Sequence, residues 1–209
     1  MSITRLALCR LTLLMVAVLS SNFLLAQDPV LIKIPEDQPT LEFVGQFVND
    51  SSGSHQYGFI SRIQGLSLSA IFTGTPQNQN TALFTFCTEA TTVRAVPDGV
   101  LTIVNRVGTT TIFFTSNPAP RNPIDRSTFC SGTPVQVSSY QQQVVVDNAT
   151  GSFSTVHVNS ITGVSAFELN GTSYQLGQPG KAFRTNYQGH LNPGPPPSGW
   201  FAGYAVGIK

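Results

Sequence analysis

Apolar and polar positions alternate with period two along most of the chain, and residues such as Gly, Pro, Asn and Asp break the alternation at short intervals. Turn signals about every eight to twelve positions predict an antiparallel all-β fold. No window after residue 26 sustains a helical period. The first long strand is predicted over Leu41–Val48, with Leu41, Phe43, Gly45 and Phe47 on one face. Tyr57–Ile63 and Leu66–Phe72 read as the next two strands. Ala82–Val96 follows, with Phe84 and Phe86 on one face and Leu83 and Cys87 on the other. Pro97-Asp98-Gly99 is a turn: proline presets φ, aspartate bonds nearby backbone, and glycine takes the left-handed residue. Val100–Asn105, a turn at Val107-Gly108 and Thr109–Thr115 complete an expected three-stranded meander.

The second half continues the pattern with one interruption. Ser116–Thr133 carries Pro118, Pro120 and Pro123, so it is expected to be an excursion and not an interior strand. Val135–Asp147 and Ser152–Ser160 form a hairpin, and Asn170-Gly171 signals another, setting Leu169 opposite Thr172 and Phe167 opposite Tyr174. Lys181–Leu191 is a strand, and the proline-rich Asn192–Gly199 connects it to Trp200–Ile208. That last strand alternates Trp200, Ala202, Tyr204 and Val206 with Phe201, Gly203, Ala205 and Gly207. Glycines on one face allow sharp coiling or close approach, which suits a barrel wall. The expected fold is a single antiparallel β-barrel of about eight to ten strands whose first and last strands meet, with a two-sheet β-sandwich as the alternative. In strand pattern and size the chain resembles small calycin-type barrels such as the allene oxide cyclase and dirigent families. The resemblance rests on alternation over the whole domain; it implies a barrel and carries no residue roles.

The first 26 residues alter the picture of location. Arg5 and Arg10 precede the apolar run Leu11–Leu19, and Ala26 precedes a polar residue. This is the pattern of a secretory signal peptide, with cleavage expected after Ala26 and a single all-β domain over residues 27–209. Cys9 would leave with the leader. Cys87 and Cys130 would remain, and in an oxidising compartment two cysteines are expected to pair. The chain-entropy model assigns such a loop about 4 kcal/mol at most.

Charge narrows the partners. Only 10% of the residues are charged and the formal net charge is +1. A basic footprint for nucleic acid is missing from the sequence, and so is a lysine cluster for an anionic membrane. Strands this irregular show no lipid-facing bands with aromatic girdles, so no stable membrane insertion is expected after cleavage. No metal site is expected, because His55, His157 and His190 are not spaced as ligand pairs with each other or with cysteine. Nor is a cofactor or a catalytic residue assigned, because the chain has no Gly-X-Ser-X-Gly elbow and no phosphate loop.

Fourteen phenylalanines, five tyrosines and one tryptophan offer a different lead, an apolar interior that could take a ligand. The candidate pocket residues are His157, Arg94, Glu89, Phe84 and Phe86. Arg106 is expected to pair with Glu89 across the strands, and His55 to be solvated. Three functions follow from this reading. The first is an exported, non-enzymatic barrel binding a small apolar ligand or a partner surface. The second is an isomerase or cyclase holding a hydrophobic substrate. The third is a structural or adhesive surface protein.

Overall fold

The computed structural model describes residues 27–208 except Asp37; the leader assigned to residues 1–26 lies outside the described residues. In chain order the strands are β1 (Val30–Ile32), β2 (Leu41–Asp50), β3 (Gly53–Ile63), β4 (Phe84–Asp98), β5 (Leu101–Phe114), β6 (Thr133–Asp147), β7 (Ser152–Val164), β8 (Phe167–Leu169), β9 (Thr172–Leu176), β10 (Ala182–Leu191) and β11 (Ser198–Gly207). One short helix, α1 (Leu68–Ile71), lies between β3 and β4. Eight strands close a barrel in the order β10-β11-β2-β3-β4-β5-β6-β7. Each neighbouring pair is antiparallel. The expected closure of the first long strand on the last is made by β2 and β11, with Phe201 opposite Gly45. Closure removes the exposed edges that an open sheet would present.

Antiparallel succession sorts the connections. The tight turns β2–β3, β4–β5 and β6–β7, with the proline-rich β10–β11 link, all fall at one end of the barrel, the hairpin end. The long connections fall at the other end, where α1 and a small sheet of order β1-β9-β8 cap the barrel. There Ile63, Ile71, Phe84, Val135 and Leu176 are almost inaccessible, and Phe84 packs on Phe114 and Phe167 at 5.1 and 5.2 Å. The Asn-Gly hairpin forms in the expected register, Leu169 to Thr172 and Phe167 to Tyr174. Both turn residues take positive φ, 52° at Asn170 and 76° at Gly171, as such a two-residue turn requires.

Two expected elements differ. Leu66–Phe72 is not a strand; it holds α1, whose Ile71 plugs the barrel end. The meander is not three-stranded within Ala82–Thr115, because β5 runs through Val107-Gly108 without turning. Gly108 has a different task there: a Cβ would lie 2.7 Å from the Tyr140 hydroxyl on β6. The glycine admits a neighbouring ring and does not mark a turn. The third strand of that meander is β6. Ala90 is the last β4 residue paired to β3; beyond it β4 pairs with β5 alone, and Val93, Val96, Val100 and Leu101 are exposed.

The proline-rich excursion, residues 115–132, forms a strap across the outer face of β2–β3–β4. Tyr57 donates its hydroxyl to the Pro123 carbonyl at 3.1 Å, and Thr85 Oγ1 donates to the Phe129 carbonyl at 2.7 Å. Cys87 and Cys130 form the expected disulfide, with a Cα–Cα distance of 5.4 Å. Phe129 and Tyr57 pack beside it with tilted rings, centroids 5.3 Å apart, in a small second core outside the barrel.

Candidate functional site

Strict alternation on β7 aims Phe153, Thr155, His157, Asn159 and Ile161 into the barrel. β6 contributes Tyr140, Gln142 and Val144, and β10 contributes Phe183, Thr185 and Tyr187. His157 has Gln142 of β6 as its cross-strand partner on one side and Thr185 of β10 on the other. A polar belt therefore crosses an otherwise apolar interior at mid-height.

The belt is a directed chain of hydrogen bonds. Arg106 Nη1 donates to Gln142 Oε1 at 3.4 Å. Gln142 Nε2 donates to the Tyr187 hydroxyl at 2.7 Å and to His157 Nε2 at 2.8 Å. The Tyr187 hydroxyl donates to Gln56 Oε1 at 2.8 Å. Because Nε2 of His157 accepts from an amide, the ring proton is assigned to Nδ1. Tyr140 stacks flat on His157 with centroids 4.4 Å apart. Burial, reinforced by the Arg106 charge, lowers the His157 pKa to about 3. Burial likewise raises Tyr187 and Tyr140 above the usual phenol value. At neutral pH these three groups are uncharged, and Arg106 is the charge in the belt.

Two chambers, each of about 50 Å³, meet at Gln56, Tyr187 and Phe201. The lower one is walled by Phe43, Phe86, Ile112, Phe183 and Phe201, with Gln56, His157, Asn159 and Tyr187 converging on it. The upper one, toward the hairpin end, combines Phe47, Val144 and Phe153 with Asn49, Ser54, Arg106, Gln142 and Thr155. Gly45 keeps the lower space open to aromatic rings, since a Cβ there would lie 2.7 Å from Phe201 and 2.8 Å from Phe86. Among the residues lining the two chambers there is no carboxylate and no thiol.

Of the sequence-derived pocket residues, His157 and Phe86 line the lower chamber together. Phe84 lies below it in the packed cap. Glu89 and Arg94 are outside the barrel. A register shift at Val93 puts Arg94 opposite Asn105, and its guanidinium bonds that side chain. The expected Glu89–Arg106 pair is not made: Arg106 points inward, and Glu89 meets Arg126 of the strap at 2.8 Å. Even positions of β5 face the core, so residues 89 and 106 stand on opposite sides of the wall. Sequence reasoning missed Gln56, Gln142 and Tyr187. Each sits in phase with apolar core positions of its own strand, and that phase was the available signal.

His55 is a second correction. It is 6% exposed, not solvated. Its Nδ1 meets Glu89 and Arg126, while its Nε2 lies 2.9 Å from Ser52 Oγ and 3.2 Å from Asp50 Oδ1. The order serine, histidine, carboxylate has the outline of an activated nucleophile. However, Ser52 Oγ donates to Asp50 Oδ1 at 2.6 Å, so the hydroxyl proton is engaged by a carboxylate and not by the imidazole. The Ser52 hydroxyl and backbone N–H in turn hold the Asp50 carboxyl well below the usual carboxylate range. The cluster fastens the strap to the β2–β3 hairpin.

Fold and site together define a closed eight-stranded antiparallel barrel with a small interior, mostly apolar and crossed by one polar belt. Comparison with known proteins yields no matching family model, no matching curated protein and no matching solved structure.

Proposed function

We propose that the protein is an exported binding barrel that holds a small, largely apolar molecule in its interior. The observation that carries this reading is the lower chamber, where aromatic and aliphatic walls meet a few polar side chains, Gln56, His157, Asn159 and Tyr187 with three threonines, in the barrel interior. Ligand sites combine these same elements, apolar lining for affinity and a few fixed polar groups for orientation. A mutually hydrogen-bonded belt whose histidine and tyrosines are uncharged suits recognition better than proton transfer, because His157 is held far from a pKa useful near neutrality. Export is supported by the leader pattern of residues 1–26 and by the disulfide, which is consistent with an oxidising compartment. Among the described residues no helix is long and apolar enough to cross a membrane.

Thermal unfolding with hexanol, benzene and xenon tests the reading. A ligand that binds only the folded state raises Tm with concentration. The expected result is stabilisation of the wild type by at least one probe and its loss in Ala205→Val, which adds methyl groups to the lower chamber. Equal responses of the two proteins would refute interior binding.

A further inference from the structure

We infer that the upper chamber is a carboxylate subsite, and that the ligand is a small amphipathic acid whose head group pairs with Arg106. The inference rests on the interior-binding reading and deepens it.

Arg106 is a cation without a counterion. Among the described residues Arg62 pairs with Glu42 and Arg126 with Glu89; Arg106, like Arg94 and Arg121, has no carboxylate within ion-pair distance, and of these three it is the one that lines the upper chamber. Its two hydrogen bonds are long, 3.3 Å from Nε to Thr92 Oγ1 and 3.4 Å from Nη1 to Gln142 Oε1. A guanidinium carries five N–H donors in a fork that fits a carboxylate, so most of its capacity is unspent. Burial already lowers its pKa, as expected for a cation taken from water without an anion beside it.

The chamber around it shows the same deficit. Five buried side-chain polar atoms find no partner among the described residues, and three of them, Asn49 Oδ1, Ser54 Oγ and Thr155 Oγ1, belong to residues lining this one chamber. Ser54 and Thr155 are 1% and 3% exposed. Thr155 lies beside the Tyr187 hydroxyl but not in bonding geometry. Buried polar atoms left unpaired are costly, and their concentration around an unpaired cation points to an occupant that accepts and donates hydrogen bonds. Ser54 and Thr155 hydroxyls can donate to the same carboxylate that Arg106 holds. Phe47, Val144 and Phe153 on the remaining wall set the apolar part. The two chambers adjoin at Gln56, Tyr187 and Phe201, so a head group on Arg106 leaves the lower chamber for the apolar tail.

Calorimetric titration with hexanoate and with hexanol, on wild type, Arg106→Gln and Arg106→Lys, tests the assignment. The expected result is that hexanoate binding weakens by about tenfold or more in R106Q and recovers partly in R106K. A cooperative urea transition in R106Q reports that the variant is folded. Hexanol binding without hexanoate binding, or equal hexanoate affinities in wild type and R106Q, would overturn the carboxylate subsite and leave interior binding standing. If neither probe binds the wild type, interior binding fails and the subsite fails with it.

Discussion

Two buried histidines on opposite sides of one barrel wall live by different rules. His157 lies inside, against Tyr140, Gln142 and Tyr187, all uncharged at neutral pH. His55 lies outside, beneath the strap, among Asp50, Glu89 and Arg126. Their exposures are nearly equal, 4% and 6%. Burial alone therefore does not set a histidine's role; its neighbours do. The interior was built from neutral hydrogen bonds and apolar contact, with Arg106 as the exception. The exterior joins distant segments with charge and a covalent bond.

The largest expected effect falls on the exterior. Replacing Cys87 and Cys130 by serine releases the strap from β4 and costs about 2–5 kcal/mol, measured as the shift in denaturant midpoint at constant slope. The interior belt makes no contact with the disulfide, so hexanol binding to the folded variant should persist. Loss of binding together with stability would show that inside and outside are one unit.

The next effect belongs to His157 and has a defined sign. Its folded pKa of about 3 lies below the unfolded value near 6.5, so the unfolded chain binds more protons between them. The stabilisation of the neutral ring is complete above the unfolded pKa and is lost as pH falls toward the folded one. Between pH 7 and 4.5 the wild type should lose about 2–3 kcal/mol from this group. Asp50 and Asp147 are held below the ordinary carboxylate value, so their contributions decline only further down. His157→Gln should flatten the pH dependence of unfolding over that interval. An unchanged slope would place the histidine in a wetter site than the belt allows.

Tyr187→Phe is the sharper cut within the belt. It removes the hydroxyl that joins Gln142 to Gln56 across the barrel and leaves both amides short of a partner. The expected cost is about 1–3 kcal/mol, with no dependence on salt.

How far these regions were legible in the sequence follows from the same contrast. Period-two alternation depends on one strand at a time, and it located β2, β6, β7, β10 and β11 and the inward set Leu41, Phe43, Gly45 and Phe47. Disulfide pairing was legible because only two cysteines remain after the leader. What crosses between strands was not. Glu89 and Arg106 looked like partners on a flat ladder, but the side of the wall each faces depends on a register that only the closed barrel sets. The inward Gln142 drew no assignment because glutamine is usually a surface residue. His55 looked solvated because the strap that buries it arrives from residues 115–132, far along the chain.

The smallest expected effect tests whether the exterior cluster is held by charge. Arg126→Ala removes the guanidinium from Glu89 and His55. Side chains of Arg126 and Glu89 are 45% and 56% exposed, so water competes for the pair. Such exposed pairs contribute about 0–1 kcal/mol and fade with added salt. The wild type and R126A should therefore differ by under about 1 kcal/mol at low ionic strength and converge at high salt, read as urea midpoints. The strap keeps its disulfide and its Tyr57 and Thr85 hydrogen bonds in the variant, which is why the loss should be small. A loss of several kcal/mol that salt does not reduce would mean that the outer histidine, like the inner one, depends on a dry and specific packing, and the contrast between the two would collapse.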